Sequence, residues 1–308
     1  MTRVRLFGVL GLCAAASVLA ENGILPDVPE AAQAVALDGR ALYSPAPGEK
    51  AQADLAAARA AYESDPGDAD SIIWLGRRLA YAGDYRGAIL AFSEGIQKHP
   101  DDARMYRHRG HRYISIREFD RAIADLEKAA DLIRGTENEV EPDGQPNDHG
   151  IPLSSLHGNV WYHLGLAYYL KQDWENALRA YQNGFEVSRN DDNRVSTTHW
   201  RYMILRRMGR PGDALAVLGS ITPDMTIIEN DSYHRLCLFY RGELSLDELL
   251  DGAADDPSGA AVRYGAANWH FTEGHVETAR RMLGELASSG SWAGFGYIAA
   301  EADLAALD

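Results

Sequence analysis

A spacing of 34 residues constrains this chain more than any other feature. Gly76 and Gly110 are 34 apart, and so are Ala88 and Ala122. Around them the same residue types recur. The first row reads Ile72, Leu75, Gly76, Leu79, Ala88, Phe92 and Pro100. The second reads Tyr106, Arg109, Gly110, Tyr113, Ala122 and Leu126. A third, shifted row reads Trp161, Leu164, Gly165, Tyr168, Ala177 and Tyr181. Within each row the large residues fall three or four apart, which is the period of one helix face. Gly on one helix and Ala on the next mark where two helices cross too closely for a larger side chain. The large residues fill the space around these crossings and between repeats. A single pair of this kind cannot bury both its faces, so pairs stack.

This pattern resembles the tetratricopeptide-repeat family. The resemblance is specific over the three rows and weaker beyond them, and it covers roughly residues 51–305. It implies an all-α fold, an α-α superhelix of about six helical hairpins plus flanking helices. The fourth pair is Thr197–Met208 with Asp213–Leu218, and Ala214 takes the small-residue role. The fifth is Tyr233–Arg241 with Ser245–Leu250. The sixth is Ala260–Phe271 with Val276–Leu286, with Ala279 in the small role. Ala51–Glu63 is a solitary leading helix and Trp292–Leu304 a terminal one. Asp68–Asp70, Asp101–Asp102 and Asp191–Asp192 precede first helices, where carboxylates cap free amides.

Residues 1–20 read separately. Arg3 and Arg5 precede the apolar run Leu6–Ala20, the order of a secretory signal. The run is short for a membrane span. An uncleaved anchor and a lipid anchor through Cys13 are the alternatives. Cleavage moves the net charge from −15 to −17, because the segment carries two positive charges and no negative ones. The expected location is therefore exported, periplasmic or envelope-associated. Membrane contact is expected only through the signal if it is retained. Cys237 alone would survive cleavage, as a buried small hydrophobe without a disulfide. The acidic balance argues against nucleic acid as a partner.

Residues 21–50 read as an extended arm, interrupted by Pro26, Pro29, Pro45 and Pro47, with Leu37, Leu42 and Tyr43 as possible anchors and no period-two strand. The solenoid is expected over 51–308, with one insertion. Gly110 to Gly165 is 55 residues, and the surplus lies at about 135–156, GTENEVEPDGQPNDHGIPLSSL. It holds five acids, three prolines and no Lys or Arg. Long insertions in compact arrays are often functional, and this one is expected to act as a flap. Glu139, Glu141, Asp143 and Gly144 resemble half of a calcium loop, but Gly150 stands where the bidentate acid belongs.

No nucleophile elbow, metalloprotease helix or phosphate loop occurs. Gly294 and Gly296 read as packing glycines. His108 and His111 are one turn apart and, as a bare pair, give a weak metal motif. No cofactor or metal is expected. The resemblance implies that first helices line a concave groove. The faces left over from packing give Arg77, Tyr81, Arg104, Arg107, His111, Asn159, Tyr162, Tyr169, His199, Met203, Arg206 and Arg207, with Tyr240, Tyr264 and Asn268 following. Arg and Tyr are enriched in binding hot spots. The Lys and Asn pattern by which some family members clamp a peptide's carboxylate terminus is missing here. The function expected is a non-enzymatic scaffold binding a protein or an acidic, extended peptide segment. The alternatives are a hydrolase-like enzyme using the groove histidines and insertion acids, or a self-assembling subunit whose groove takes a neighbouring copy. Opposite charge also allows the acidic insertion to occupy the cationic groove itself.

Overall fold

The repeat glycines are where paired helices touch in the computed structural model, which describes residues 23–251, 253, 257–290 and 292–307. A Cβ on Gly76 would fall inside the Phe92 ring; one on Gly110 would lie 2.7 Å from Leu126, and one on Gly165 2.7 Å from Tyr181. Each large residue covers the glycine of its own hairpin. Two of them also reach the next hairpin: Phe92 stacks on His108 at 5.3 Å and Tyr181 on Trp200 at 5.7 Å. Ala88, Ala122, Ala177, Ala214 and Ala279 are fully buried on the second helices.

The described residues form fourteen α-helices. α1 is Glu49–Ser64, and six hairpins follow. These are α2 Ala69–Tyr81 with α3 Tyr85–Lys98, α4 Ala103–Ser115 with α5 Phe119–Leu132, and α6 Leu156–Leu170 with α7 Trp174–Glu186. Then come α8 Asp191–Arg207 with α9 Pro211–Val217, α10 Asp231–Tyr240 with α11 Leu246–Asp251, and α12 Pro257–Thr272 with α13 Val276–Ala287. α14, Phe295–Leu307, ends the array. The hairpin count agrees with the sequence reading. No helix among the described residues is long and apolar enough to cross a membrane. The signal reading at residues 1–20 lies outside the described residues.

Asp68 and Asp102 cap α2 and α4 as expected, accepting from Ser71 N at 2.8 Å and Arg104 N at 3.0 Å. Asn190, not the acidic pair, caps α8. Asp192 is instead buried and accepts the amides of Ile228, Glu229 and Asn230. It anchors the connection into the fifth hairpin.

The arm is more ordered than its prolines suggest. Ala34–Val35 (β1) and Ala41–Leu42 (β2) form a two-residue antiparallel pair. Leu25, Ala34, Ala36 and Leu42 are buried, whereas Leu37 and Tyr43 are exposed and anchor nothing by their side chains. Tyr43 contributes its carbonyl, which accepts from Trp292 Nε1 at 2.8 Å. Arg40 donates to the carbonyl of Ala287 and Tyr113 to that of Ile24. The arm therefore joins the second hairpin to the C-terminal end.

That closure has a second, stronger element. The turn between α4 and α5 carries Arg117 at φ +67, a left-handed conformation that the first hairpin gives to Gly83. A non-glycine residue there is strained by roughly 1–3 kcal/mol. Its guanidinium makes a two-point pair with Glu301 of α14, at 2.9 and 3.1 Å, and donates to the Trp292 carbonyl at 2.8 Å. Both side chains are 3% exposed. The solenoid thus curls until its last helix rests on its second hairpin. Arg117→Ala would strand Glu301 without its counter-charge and is expected to cost about 3–5 kcal/mol in denaturant unfolding. A loss under about 1 kcal/mol would contradict this role. Arg117→Ala/Glu301→Leu should recover most of the loss.

Candidate functional site

The first three hairpins set their inner wall by the same register that packs their glycines. Arg77 and Tyr81 on α2, Arg107 and His111 on α4, and Asn159 and Tyr162 on α6 lie on the helix faces left free by Gly76, Gly110 and Gly165. The insertion crosses in front of them. It is pinned at its base by a bridge between Val140 and Ser155, with Glu141 N on Ser154 O at 3.0 Å and Leu156 N on Glu139 O at 2.9 Å. Farther out, Asn190 holds the Leu153 carbonyl at 2.9 Å, and Asn147 donates to Glu229 at 2.6 Å.

From that base the segment reaches into the wall. Glu141 pairs with Arg107 Nη2 at 3.1 Å and accepts from Asn159 Nδ2. Arg107 is 11% exposed and Glu141 10%. Arg77 Nη1 donates to the Pro142 carbonyl at 2.9 Å, and Arg78 Nη1 to the Gly144 carbonyl at 3.0 Å. Gly144 is buried against α2: a Cβ there would run into Tyr81 Oη and lie 2.6 Å from Arg77 Nη2. The opposite-charge expectation for the insertion therefore describes its position.

The charge around this contact does not balance locally. Arg77, Arg107 and Arg112 are near enough to repel one another, and burial pushes Arg107 below its ordinary value despite Glu141. Arg112 is pushed down to about 10, mainly by burial. Arg112 lies over the Tyr85 ring at 5.6 Å. The Nε atoms of Arg77 and Arg107 are buried without a hydrogen-bond partner. Beneath the insertion is a cavity of about 270 Å³ lined by Arg77, Tyr81, Arg107, Glu141 and Asn159. Beside it, a cavity of about 290 Å³ is lined by Arg107, His111, Tyr162, His163, Tyr233 and Phe295.

The other half of the expected groove is closed. Tyr169, His199 and Met203 are core residues, at 2%, 1% and 0% exposure. Tyr240, Tyr264 and Asn268 are buried as well. The reason is that α12 and α14 pack into the concave side against α8 and α6. Tyr169 and Tyr264 share a hydrogen bond at 2.6 Å, and Tyr264 donates to Asp303 at 2.9 Å. Arg207 is taken by Asp303 and by Asn268 Oδ1 at 2.5 Å, and Arg206 by Glu273 at 2.6 Å. Arg104 sits on the rim, bound to Asp70 at 2.7 Å and to Asp102 at 2.6 Å. These three arginines are structural ion-pair partners here. The closed end also rules out a neighbouring copy as the occupant of that part of the groove, because the chain's own helices fill it.

The hydrolase alternative fares poorly at His108. Its Nδ1 takes the Arg107 guanidinium at 2.7 Å and its Nε2 faces Glu141 at 3.7 Å, so neither nitrogen is free as a base. His111 turns away from His108 onto His163, with ring centroids 4.1 Å apart. The pair therefore does not converge on a metal, and among the described residues no three His, Cys, Asp or Glu groups do. In the half calcium loop, Asp143 caps Gln145 N while Glu141 points at Arg107. Cys237 is fully buried, as expected. The residues that the sequence reading missed are Arg78, Arg112, His163, Tyr233 and Phe295. Arg78, next to Arg77, and His163, four residues after Asn159, were readable from helix spacing. Tyr233 and Phe295 arrive from distant hairpins.

No family model matches the chain, and no curated protein does. Among solved structures, a tetratricopeptide repeat protein from Parabacteroides merdae aligns over 96% of this chain and 98% of its own, at 13% identity and a TM-score of 0.50. YrrB, described as a TPR protein with an unusual peptide-binding site, covers 74% of this chain and 90% of its own at 19% identity and a TM-score of 0.43. MamA covers 53% and 81% at 17% identity and a TM-score of 0.42. The resemblance read from the repeats thus holds at the level of fold: the chain is a tetratricopeptide-type solenoid.

The site carries a pH dependence. Burial, reinforced by Arg107 and Arg112, holds His108, His111 and His163 well below 6.5. The folded protein keeps these rings neutral, while the unfolded chain protonates them near 6.5. Their stabilising contribution is complete above that pH and is lost as pH falls below it, by up to about 1.4 kcal/mol per pH unit for each ring. Unfolding free energy should therefore fall between pH 7 and pH 5, with a shallower slope in His163→Asn. An unchanged slope in that variant would refute the assignment.

Proposed function

We propose that this protein is a non-enzymatic interaction scaffold that binds an acidic, extended segment of another protein on the inner wall of its first three hairpins. One observation carries the reading. The chain's own insertion already lies there as a strand-like ligand, with Glu141 on Arg107 and Asn159 and its carbonyls on Arg77 and Arg78. The wall supplies charged donors whose Nε atoms stay unpaired, and an uncompensated buried donor favours an acceptor-rich partner. The acidic net charge, −15 over the chain, makes this cationic strip the local exception. At long range the negative field of the whole chain opposes acidic partners, so an acidic segment is admitted only where this strip offers it counter-charges at contact distance, and a basic one is refused there.

The scaffold works in the cell envelope on this reading. What supports export is the order of Arg3, Arg5, the apolar run and the short residues before Glu21. Mass spectrometry of the chain from its native membrane-enclosed compartment should find a new N-terminus at Glu21. A cytoplasmic chain that keeps Met1–Ala20 would contradict the location.

The binding reading is tested with an array of short peptides that differ only in charge. With the insertion unseated by Glu141→Gln, acidic peptides should be retained, and retention should weaken as salt rises. Arg77→Glu/Arg107→Glu in that background should lose at least tenfold in affinity while keeping its helix content. Equal binding of acidic and basic peptides, or full retention by the charge-reversed protein, would overturn the reading.

A further inference from the structure

The way the insertion is seated specifies more than acidity. Four requirements can be read along residues 141–144. The first residue must offer a carboxylate, because it meets Arg107 at 3.1 Å and Asn159. It must also be extended, and Pro142 enforces that by restricting the residue before it. The second must present its carbonyl to Arg77, at 2.9 Å. The fourth is favoured as glycine, because a Cβ there would have to push aside the Tyr81 hydroxyl and the Arg77 guanidinium, and its carbonyl is taken by Arg78 at 3.0 Å. The third is free: Asp143 points back to its own Gln145 amide at 2.9 Å. On the other side, Val140 is 49% exposed.

We infer that residues 141–144, Glu-Pro-Asp-Gly, are a tethered imitation of the partner's recognition element, and that the partner binds by displacing them. This rests on the scaffold reading above and narrows it to a partner class. That class is an extended segment with an acidic residue, a proline or other extended residue next, and a glycine three positions after the acid. The insertion is suited to displacement. Its base is held by main-chain bonds at Glu139–Leu156, while Arg77, Arg78, Arg107 and Asn159 hold residues 141–144 by side-chain hydrogen bonds and an ion pair. A segment without helix or packed apolar side chains opens at lower free energy than the packed helices around it. Tethering also sets a threshold. A short link gives an effective concentration on the order of millimolar. A free segment of micromolar intrinsic affinity is then outcompeted roughly a thousandfold until the insertion is released.

The test uses the full chain and a loop-open variant, Glu141→Gln/Gly144→Ala, which unseats the insertion without deleting it. Circular dichroism must show equal helix content in the two. The probe is a fluorescent peptide of residues 137–150, supplied in trans, with Glu→Gln and Gly→Ala versions at the positions of Glu141 and Gly144. A glutamate-serine peptide without proline or glycine is the control. The inference predicts that the native-sequence peptide binds the loop-open variant at least tenfold tighter than the full chain. It also predicts that both altered peptides bind that variant at least tenfold more weakly than the native sequence. Equal affinity for the two proteins would overturn displacement. Equal affinity of the three peptides, or tighter binding of the glutamate-serine control, would overturn the recognition element while leaving an acid-binding wall. If neither the 137–150 peptide nor the control binds the loop-open variant, the scaffold reading itself fails.

Discussion

A buried arginine must meet an acceptor, and this fold is organised around meeting that demand from within its own chain. Arg107, Arg117 and Arg207 lie at 11%, 3% and 8% side-chain exposure. Taking such a charge out of water costs several kcal/mol unless a counter-charge and hydrogen bonds replace the solvent. Arg109 finds its counter-charge within its own hairpin, in Asp125, but the hairpins that carry these three offer them no such acid. The acids come instead from outside the repeat pattern. Glu141 comes from the insertion, and Glu301 and Asp303 come from the last helix. Where these acids sit determines which part of the superhelix is open and which is closed.

The two acid sources differ in kind, and that difference separates structure from site. Glu301 and Asp303 belong to a regular helix whose neighbours Tyr297, Ile298, Ala299 and Ala300 are buried. Removing α14 would therefore expose an apolar face as well as two arginines. Glu141 belongs to a segment with three prolines and no helix, and the wall holds it through one carboxylate and two carbonyls. Arg207 also has Asn268 and the Phe271 ring, 4.2 Å from its guanidinium carbon, to complete its surroundings. Arg77 and Arg107 keep unpaired Nε atoms and border open cavities. Unpaired buried polar atoms also occur farther back, at Thr198, His199 and Arg201, so what separates the two halves is that the front borders cavities beside the insertion while the chain's own helices fill the back.

The architecture was legible because the Gly and Ala positions report a local geometric need. A side chain at Gly110 collides with Leu126 wherever the rest of the chain goes, so the spacing survives in the sequence. Of the residues that the same register pointed to, Arg77, Tyr81, Arg107, His111, Asn159 and Tyr162 line the two cavities beside the insertion. The register failed for Tyr169, His199 and Met203, because whether an inner face remains open depends on where α12 and α14 pack. That contact joins residues about a hundred positions apart, such as Arg207 and Asp303, and has no periodic signature. The arm's strands escaped for the opposite reason: two residues each are too few to show a period. Asp192 read as a helix cap because acids before helices usually are, but its burial lets it serve three amides of a later connection.

Amide hydrogen exchange, comparing the native chain with Glu141→Gln at pH 7, bears most directly on the central claim that Glu141 and Arg107 seat the insertion on the wall. The amides of Glu141 and Leu156, each hydrogen-bonded at the base of the insertion, should be protected in the native chain. That protection should drop at least tenfold in Glu141→Gln, while α2 to α5, α7 and the part of α6 after its first turn stay unchanged. Exchange of residues 139–156 at the rate of an unstructured peptide in the native chain, or equal protection in the two proteins, would contradict the claim.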